Sequence, residues 1–419
     1  MNRLRQRLGK NQIAKTQRML LFLLMVAGVP AYGSEDDALR ISNNIQAFHM
    51  PYGVIMDPVF ATPTSKEIVG YSRAGNSAIW TGHYLAAEAV RYRVTGSPEA
   101  LNNLRRALSG IRSLVEITGS DVLARTLVPI DSPYADGILV EEGGHGTFTG
   151  TLGDKTYHWI GNTKRDEYVG VFFGLGVAYD GVEDPDVRSS IRDVVTRLLD
   201  FLLRNNWAVI MPNGQISTVF WGRPDQQLSF LQVGRRVNPS RFDSAYKSYR
   251  FWYASAVITP TAYDLADVHT SYFKFNLNTI TLYNLIRLED SSFYRWVYLN
   301  AYNVMRRTTD DHGNAHFNMI DRALKEPDSR RDSETRSLLE DWLSRPTRDE
   351  WVDWRGDPRY PACGEDRACN PIPVVDRVRT DFLWQRSPFL LYGGGQGTIE
   401  GPGIDYILPY WMARYYGVL

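Results

Sequence analysis

The feature that most constrains this fold is a recurring helix pair: one helix apolar around most of its circumference, a short turn, then one apolar on a single side. The first copy opens near Asn76 and Ser77 and runs through Ile79, Trp80, Tyr84, Leu85 and Val90 to a stop at Thr95-Gly96. Ser97-Pro98-Glu99 then supplies an N-cap, a first-turn proline and an early acid. The helix that follows, to about Ile117, puts Leu104, Leu108 and Ile111 on one side and Arg105 and Arg112 on the other. Residues 168–182 repeat the apolar member and Asp184-Pro185 repeats the turn. Residues 187–205 repeat the amphipathic partner, and Gly170 falls opposite Gly82. A looser copy covers 276–288 and 293–306, and a last apolar helix is expected over 405–416. A further aromatic-rich helix is expected over 245–268, kinked or divided at Thr259-Pro260.

Such repeats imply a solenoid or a closed ring. A solenoid needs polar terminal caps, and this chain instead ends on an apolar helix containing Ile407, Leu408 and Trp411. The expected fold class is therefore all-α, an (α/α) toroid of inner and outer helices. Residues 34–73 read as an extended lead-in, and 74–419 as one toroid domain with loop insertions at 120–160, 207–244 and 345–400. Asn213-Gly214 inside the second insertion marks a small β-hairpin.

Residues 1–33 have the three parts of a secretory signal: basic residues from Arg3 to Arg18, an apolar run over 19–29, and Ala31-Tyr32-Gly33 as a cleavage site. The run is too short to span a membrane. The expected location is periplasmic or secreted, without stable membrane insertion after cleavage near Gly33; a retained anchor is the alternative. In an oxidising compartment Cys363 and Cys369, the only cysteines, form a local disulfide. Forty-seven basic residues balance 47 acidic ones, so no global field favours nucleic acid. The 11 Trp and 24 Tyr suit stacking on sugar rings, and equally suit a large core.

In a helical ring, chemistry gathers on the segments leading into inner helices. Three of these are polar: residues 71–77, 162–168 and 393–406. The second delivers Asp166, Glu167 and Tyr168 into a helix start, where acids also complement the helix dipole. The third carries Glu400 and Asp405 behind a run of glycines; Asp405 also suits an N-cap. Ring closure would set Glu400 or Asp405 across a funnel from Asp166 or Glu167, giving the protonated and ionised carboxyls that glycoside hydrolysis requires. A second constellation joins His145, His158, Asn162, Arg165 and Tyr168. It has the cation, amide and Tyr or His base that a uronate lyase uses. Asn76, Trp80, Trp221, Trp354 and Tyr406 are further candidates for sugar contact. His312 and His316 lack the glutamate of a metalloprotease helix, and no phosphate-loop or dinucleotide fingerprint occurs, so neither metal nor cofactor is expected.

The helix pairs from Ile79 to Ala100 and the run Arg165-Asp166-Glu167-Tyr168-Val169-Gly170 resemble the six-hairpin, (α/α)-toroid superfamily of glycosidases and polysaccharide lyases. The resemblance is architectural and covers most of 74–419. It implies a glycoside hydrolase acting on an oligo- or polysaccharide; the alternatives are a polysaccharide lyase on a uronate polymer and a non-catalytic envelope protein binding a glycan or a partner.

Overall fold

The computed structural model describes residues 33–265 and 272–419; the expected leader, apart from Gly33, lies outside them. The chain is mostly helical. Helices α1 to α5 span Glu35–Asn44, Ser77–Thr95, Pro98–Glu116, Ala135–Glu142 and Arg165–Gly181. Helices α6 to α10 span Pro185–Arg204, Pro224–Val237, Pro239–Tyr253, Ile258–Leu265 and Phe273–Arg287. Helices α11 to α14 span Ser292–Thr308, Ala315–Leu324, Ser329–Leu343 and Ile404–Tyr415.

The two-helix grammar is visible in the caps. Helix α2 stops at Gly96, whose φ of 63° suits a residue without Cβ. Ser97 caps α3 through Ala100 N, and Asp184 caps α6 through Val187 N at 3.0 Å. Residues 77–89 of α2 are all buried, as are residues 167–178 of α5, so each of these helices is enclosed on every side.

Helix α2 packs on α5 and α14, α5 on α7 and α10, α10 on α7 and α12, and α12 on α14. Helices α3, α6, α8, α11 and α13 pack against the helix that precedes each of them, and α1 packs on α14. Helices α2 and α5 run parallel at close range: Ile79 meets Gly170, Gly82 meets Gly170 and Gly174, and Ala89 meets Gly181. A Cβ on Gly82 would collide with the Gly170 carbonyl, and one on Gly174 with the Gly82 carbonyl. Helix α14 also runs parallel to α2, with the Arg91 guanidinium 5.9 Å from the Trp411 ring and Arg93 5.1 Å from Tyr415. The Asn284 amide reaches Phe172 O at 3.1 Å and Arg287 meets Asp180, which aligns α10 with α5.

Small antiparallel sheets sit among the helices. Strands β1 (Asp57–Phe60) and β2 (Ile68–Ser72) join β8 (Arg348–Asp353) and β9 (Tyr392–Glu400) in the order β2-β1-β9-β8. Strands β3 (Thr126–Pro129), β4 (Thr147–Leu152) and β5 (Lys155–Ile160) form a second sheet. Strands β6 (Ala208–Ile210) and β7 (Ile216–Val219) are the expected hairpin, turning at Gly214 with φ 83°.

Several expectations change. Residues 34–73 are not an extended lead-in: Ser34 caps α1 with a capping box, and β1 and β2 follow. Asp57-Pro58 lies in β1. Within 207–244, α7 is a regular, largely buried helix rather than loop. The helix expected over 245–268 divides: α8 ends at Tyr253 and α9 begins at Ile258, just before Pro260, while 266–268 lie outside the described residues. Cys363 and Cys369 are disulfide-bonded, beside a small satellite core of Ala368, Ile372 and Leu391. No helix among the described residues is long and apolar enough to cross a membrane.

Candidate functional site

Strand β1 presents Asp57, and the turn after β2 presents Arg73, to a cavity whose free space, open mouth included, is about 580 Å³. The start of α2 adds Asn76 and Trp80, the end of α13 and the residues beyond it add Trp342 and Arg345, and the start of α14 adds Asp405. The loop between β8 and β9 completes the wall with Arg379, Asp381, Phe382 and Gln385.

Arg73 organises the acids. Its Nη1 lies 2.9 Å from Asp57 Oδ2, its Nε 3.4 Å from Asp381 Oδ1, and its Nη2 3.6 Å from Asp349 Oδ2. Asp381 is also held by Arg386 at 2.6 Å. Arg73 and Asp381 both adopt left-handed backbone, with φ of 57° and 62°. For arginine that conformation is strained and is maintained here by contacts: Glu141 Oε1 accepts from Arg73 N at 3.0 Å and from Ser72 Oγ at 2.8 Å.

Burial pushes the Asp57 carboxyl up to about 6, with Arg73 and His49 opposing and Asp381 adding to the rise. Burial likewise raises Asp405, against the pull of Arg345; Asp405 accepts from Leu383 N at 2.9 Å. Behind Asp57, the His49 imidazole lies 4.0 Å from Asp57 Oδ1 and 3.5 Å from Glu400 Oε1. Burial raises the Glu400 carboxyl, but His49 and Asn44, the latter at 2.7 Å, outweigh it and hold the group low. Glu400 faces a neighbouring, more open cleft of about 940 Å³, which shares Trp342, Thr347, Gly401, Pro402 and Gly403 with the first.

The structure therefore separates the acids that the sequence would pair. Asp166 lines a different cavity, of about 590 Å³, with Arg165, Arg223 and Asp264. Glu167 is fully buried and bonded to Arg125, while its second oxygen accepts from Lys164 N at 2.9 Å. Burial pushes its carboxyl well up, Asp166 adds to this, and Arg125 opposes. Arg125 also donates to Gly75 O at 2.8 Å and to Asn162 O at 3.3 Å, so the Glu167–Arg125 pair ties three chain segments together. Tyr168 is fully buried, its hydroxyl accepting from Leu123 N at 3.2 Å, and burial raises its pKa.

Of the expected sugar contacts, Asn76 and Trp80 line the Asp57 cavity and Arg165 lines the Asp166 cavity. His145 sits 3.6 Å from Glu142, and burial, then Arg125, lowers its pKa. His158 lies on β5 opposite Val128 and Thr149. Asn162 is left-handed, with φ 46°, and its N–H meets the Met211 sulfur at 2.9 Å. Trp221 is exposed, donating to Asn206 O at 2.6 Å. Trp354 packs on Tyr360 beside the satellite core and donates to Asp376 O at 2.7 Å. Tyr406 is buried against Trp342 and Tyr410. None of these last six lines the Asp57 cavity.

Between the helices, His83, Phe173, His316 and Trp384 form a buried aromatic cluster, with Trp80 and Phe382 linking it to the cavity. Burial lowers His83 to about 4 and lowers His316 well below its ordinary value, so both are neutral packing residues at pH 7. No group of three or more candidate metal ligands occurs among the described residues.

Sequence reasoning missed Asp57, Arg73 as the organiser, Asp381 and Arg345. Arg73 belongs to a polar segment flagged by position. Asp57 and Asp381 carry no local signature, because a sheet strand and a loop distant in sequence bring them together. No protein-family model matches the chain, and comparison with curated proteins and with solved structures likewise finds no match.

Proposed function

We propose that this chain is a glycoside hydrolase whose working carboxyls are Asp57 and Asp381. The observation that carries the reading is a carboxyl raised to about 6, beside a second carboxylate, in a cavity walled by Trp80, Trp342 and Phe382. Cleavage of a glycosidic bond needs one protonated and one ionised carboxyl around a sugar ring. Asp57 is the proton donor to the leaving oxygen. Asp381, gripped by Arg73 and Arg386, is the anionic partner that faces the positive charge developing on the ring; water then adds to the anomeric carbon and its proton returns to Asp57. The strained backbone at Arg73 and Asp381 keeps both groups placed before substrate arrives.

The same proposal includes an (α/α) toroid similar to the six-hairpin superfamily. In support, each of α2, α5, α7, α10, α12 and α14 packs on the next, and α14 packs on α2. Parallel α2, α5, α10 and α14 turn their N-termini one way, towards the mouth where the Asp57 and Asp166 cavities lie. Export to the periplasm or medium is supported by the leader-like start and the disulfide. The lyase alternative is less well supported: no Tyr or His is among the described residues lining the Asp57 cavity, and Tyr168 is sealed in the core.

The test is turnover of a panel of aryl glycosides by Asp57→Asn and Asp381→Asn. Each substitution should cost roughly 10²–10⁴-fold in kcat/KM. Asp57→Asn should melt no lower than the parent. Undiminished turnover in either variant overturns the assignment. A parent protein that binds glycans but cleaves none of the panel makes this a glycan-binding protein instead.

A further inference from the structure

Two arginines of the Asp57 cavity, Arg345 and Arg379, keep donors that its acids do not take up. Arg345 has one hydrogen-bond partner, Val378 O at 3.1 Å, and its Nε is buried without a partner. No carboxylate among the described residues forms an ion pair with it. Arg379 pairs at the rim with Glu350, at 3.2 Å, and its Nε is likewise buried and unpartnered. The two guanidiniums repel: burial, then Arg379, works against the Arg345 proton and takes that guanidinium down to about 10, while Asp405 alone supports it. Two half-buried like charges facing one cavity, each with an idle donor, favour an anion between them. Gln385 lines the same cavity, and its side-chain oxygen is buried with its acceptor capacity unused. Trp342 provides an apolar ring surface beside them.

Resting on the hydrolase reading above, we infer that Arg345 and Arg379 form an anion-binding subsite, so that the substrate is an acidic sugar whose carboxylate or sulfate lies between the two guanidiniums. Its hydroxyl is read by Gln385, and its ring lies against Trp342. Arg345 is the determinant, because Arg379 is already partly neutralised by Glu350.

Titration calorimetry on the full chain, with glucuronate, glucose 6-sulfate and glucose as probes, tests this directly. At least one anionic sugar should bind about tenfold or more tightly than glucose, as a charge-assisted contact implies. That preference should weaken with added salt. Arg345→Gln should abolish it, and Arg379→Gln should reduce it. Arg355→Gln, an exposed control already paired with Asp353, should leave it unchanged. Which anion gains tells carboxylate from sulfate. Equal binding of all three sugars, no saturable binding of any anion, or an intact preference in a folded Arg345→Gln protein overturns the inference. Asp57→Asn keeps the two claims apart: it should lose turnover yet retain the anion preference. Hydrolysis of neutral glycosides without that preference refutes only the subsite, and anion preference without hydrolysis refutes only the enzyme.

Discussion

Two clusters of acid and arginine sit at the starts of neighbouring parallel helices, and they do opposite things. At the start of α5, Glu167 is fully buried, bonded to Arg125 and to Lys164 N, and linked through Arg125 to two further segments. Near the start of α2, Asp57, Arg73 and Asp381 face an open cavity and hold strained backbone. In the first cluster, Glu167 and Arg125 spend their hydrogen bonds on the protein itself, while Asp166 Oδ1 beside them is buried without a partner. The second leaves Gln385 and two arginines with donors and acceptors idle. The lesson is that a carboxylate at a helix start reports on folding until its partners are known.

The sharpest way to break this contrast is Glu167→Ala. It strands Arg125 in the interior, and denaturant unfolding should show a loss of about 3–5 kcal/mol. Any turnover lost should return at temperatures where the variant is folded. A variant as stable as the parent yet inactive would put the chemistry back at α5.

A smaller effect follows from Asp57. The folded protein keeps this proton to about pH 6, whereas the ordinary value is 3.8. Its contribution to stability is therefore complete below the lower value and is lost as pH rises through the upper one, at most about 3 kcal/mol. In its proposed role of proton donor it also fails above about pH 6, so kcat/KM should drop on that limb. Asp57→Asn should flatten the stability profile between those values; an unchanged profile would mean that Asp57 titrates normally.

Smallest of all is Tyr168→Phe. Leu123 N loses its acceptor, costing about 1–2 kcal/mol in chemical denaturation, with catalysis untouched at permissive temperature. Loss of catalysis without loss of stability would revive Tyr168 as a base.

Much of the helical pattern was legible because a helix that is apolar all round, followed by a capped amphipathic one, leaves few other readings. The last helix, expected over 405–416, is Ile404–Tyr415, and that expected over 276–288 is Phe273–Arg287. Helix α13 escaped because Ser329–Leu343 is dominated by charge, and α7 because its glutamines and arginines resemble loop. The site was half legible. Of the residues lining the cavity, Asn76 and Asp405 are singled out by their position at helix starts, which is a local property, and Trp80 as a ring for sugar contact. Asp57 and Asp381 depend on the β1–β9 pairing and on an arginine whose backbone is left-handed, and neither leaves a periodic trace.

Gly82, Gly170 and Gly174 have a consequence for ancestry. Where two backbones interlock through three missing side chains, substitution at any one must shift a helix, so these positions tolerate change less than their surroundings. Distant kin of this chain would keep that glycine lattice after most other residues had changed. The spacing of three glycines is then a fingerprint for descent where overall similarity has faded.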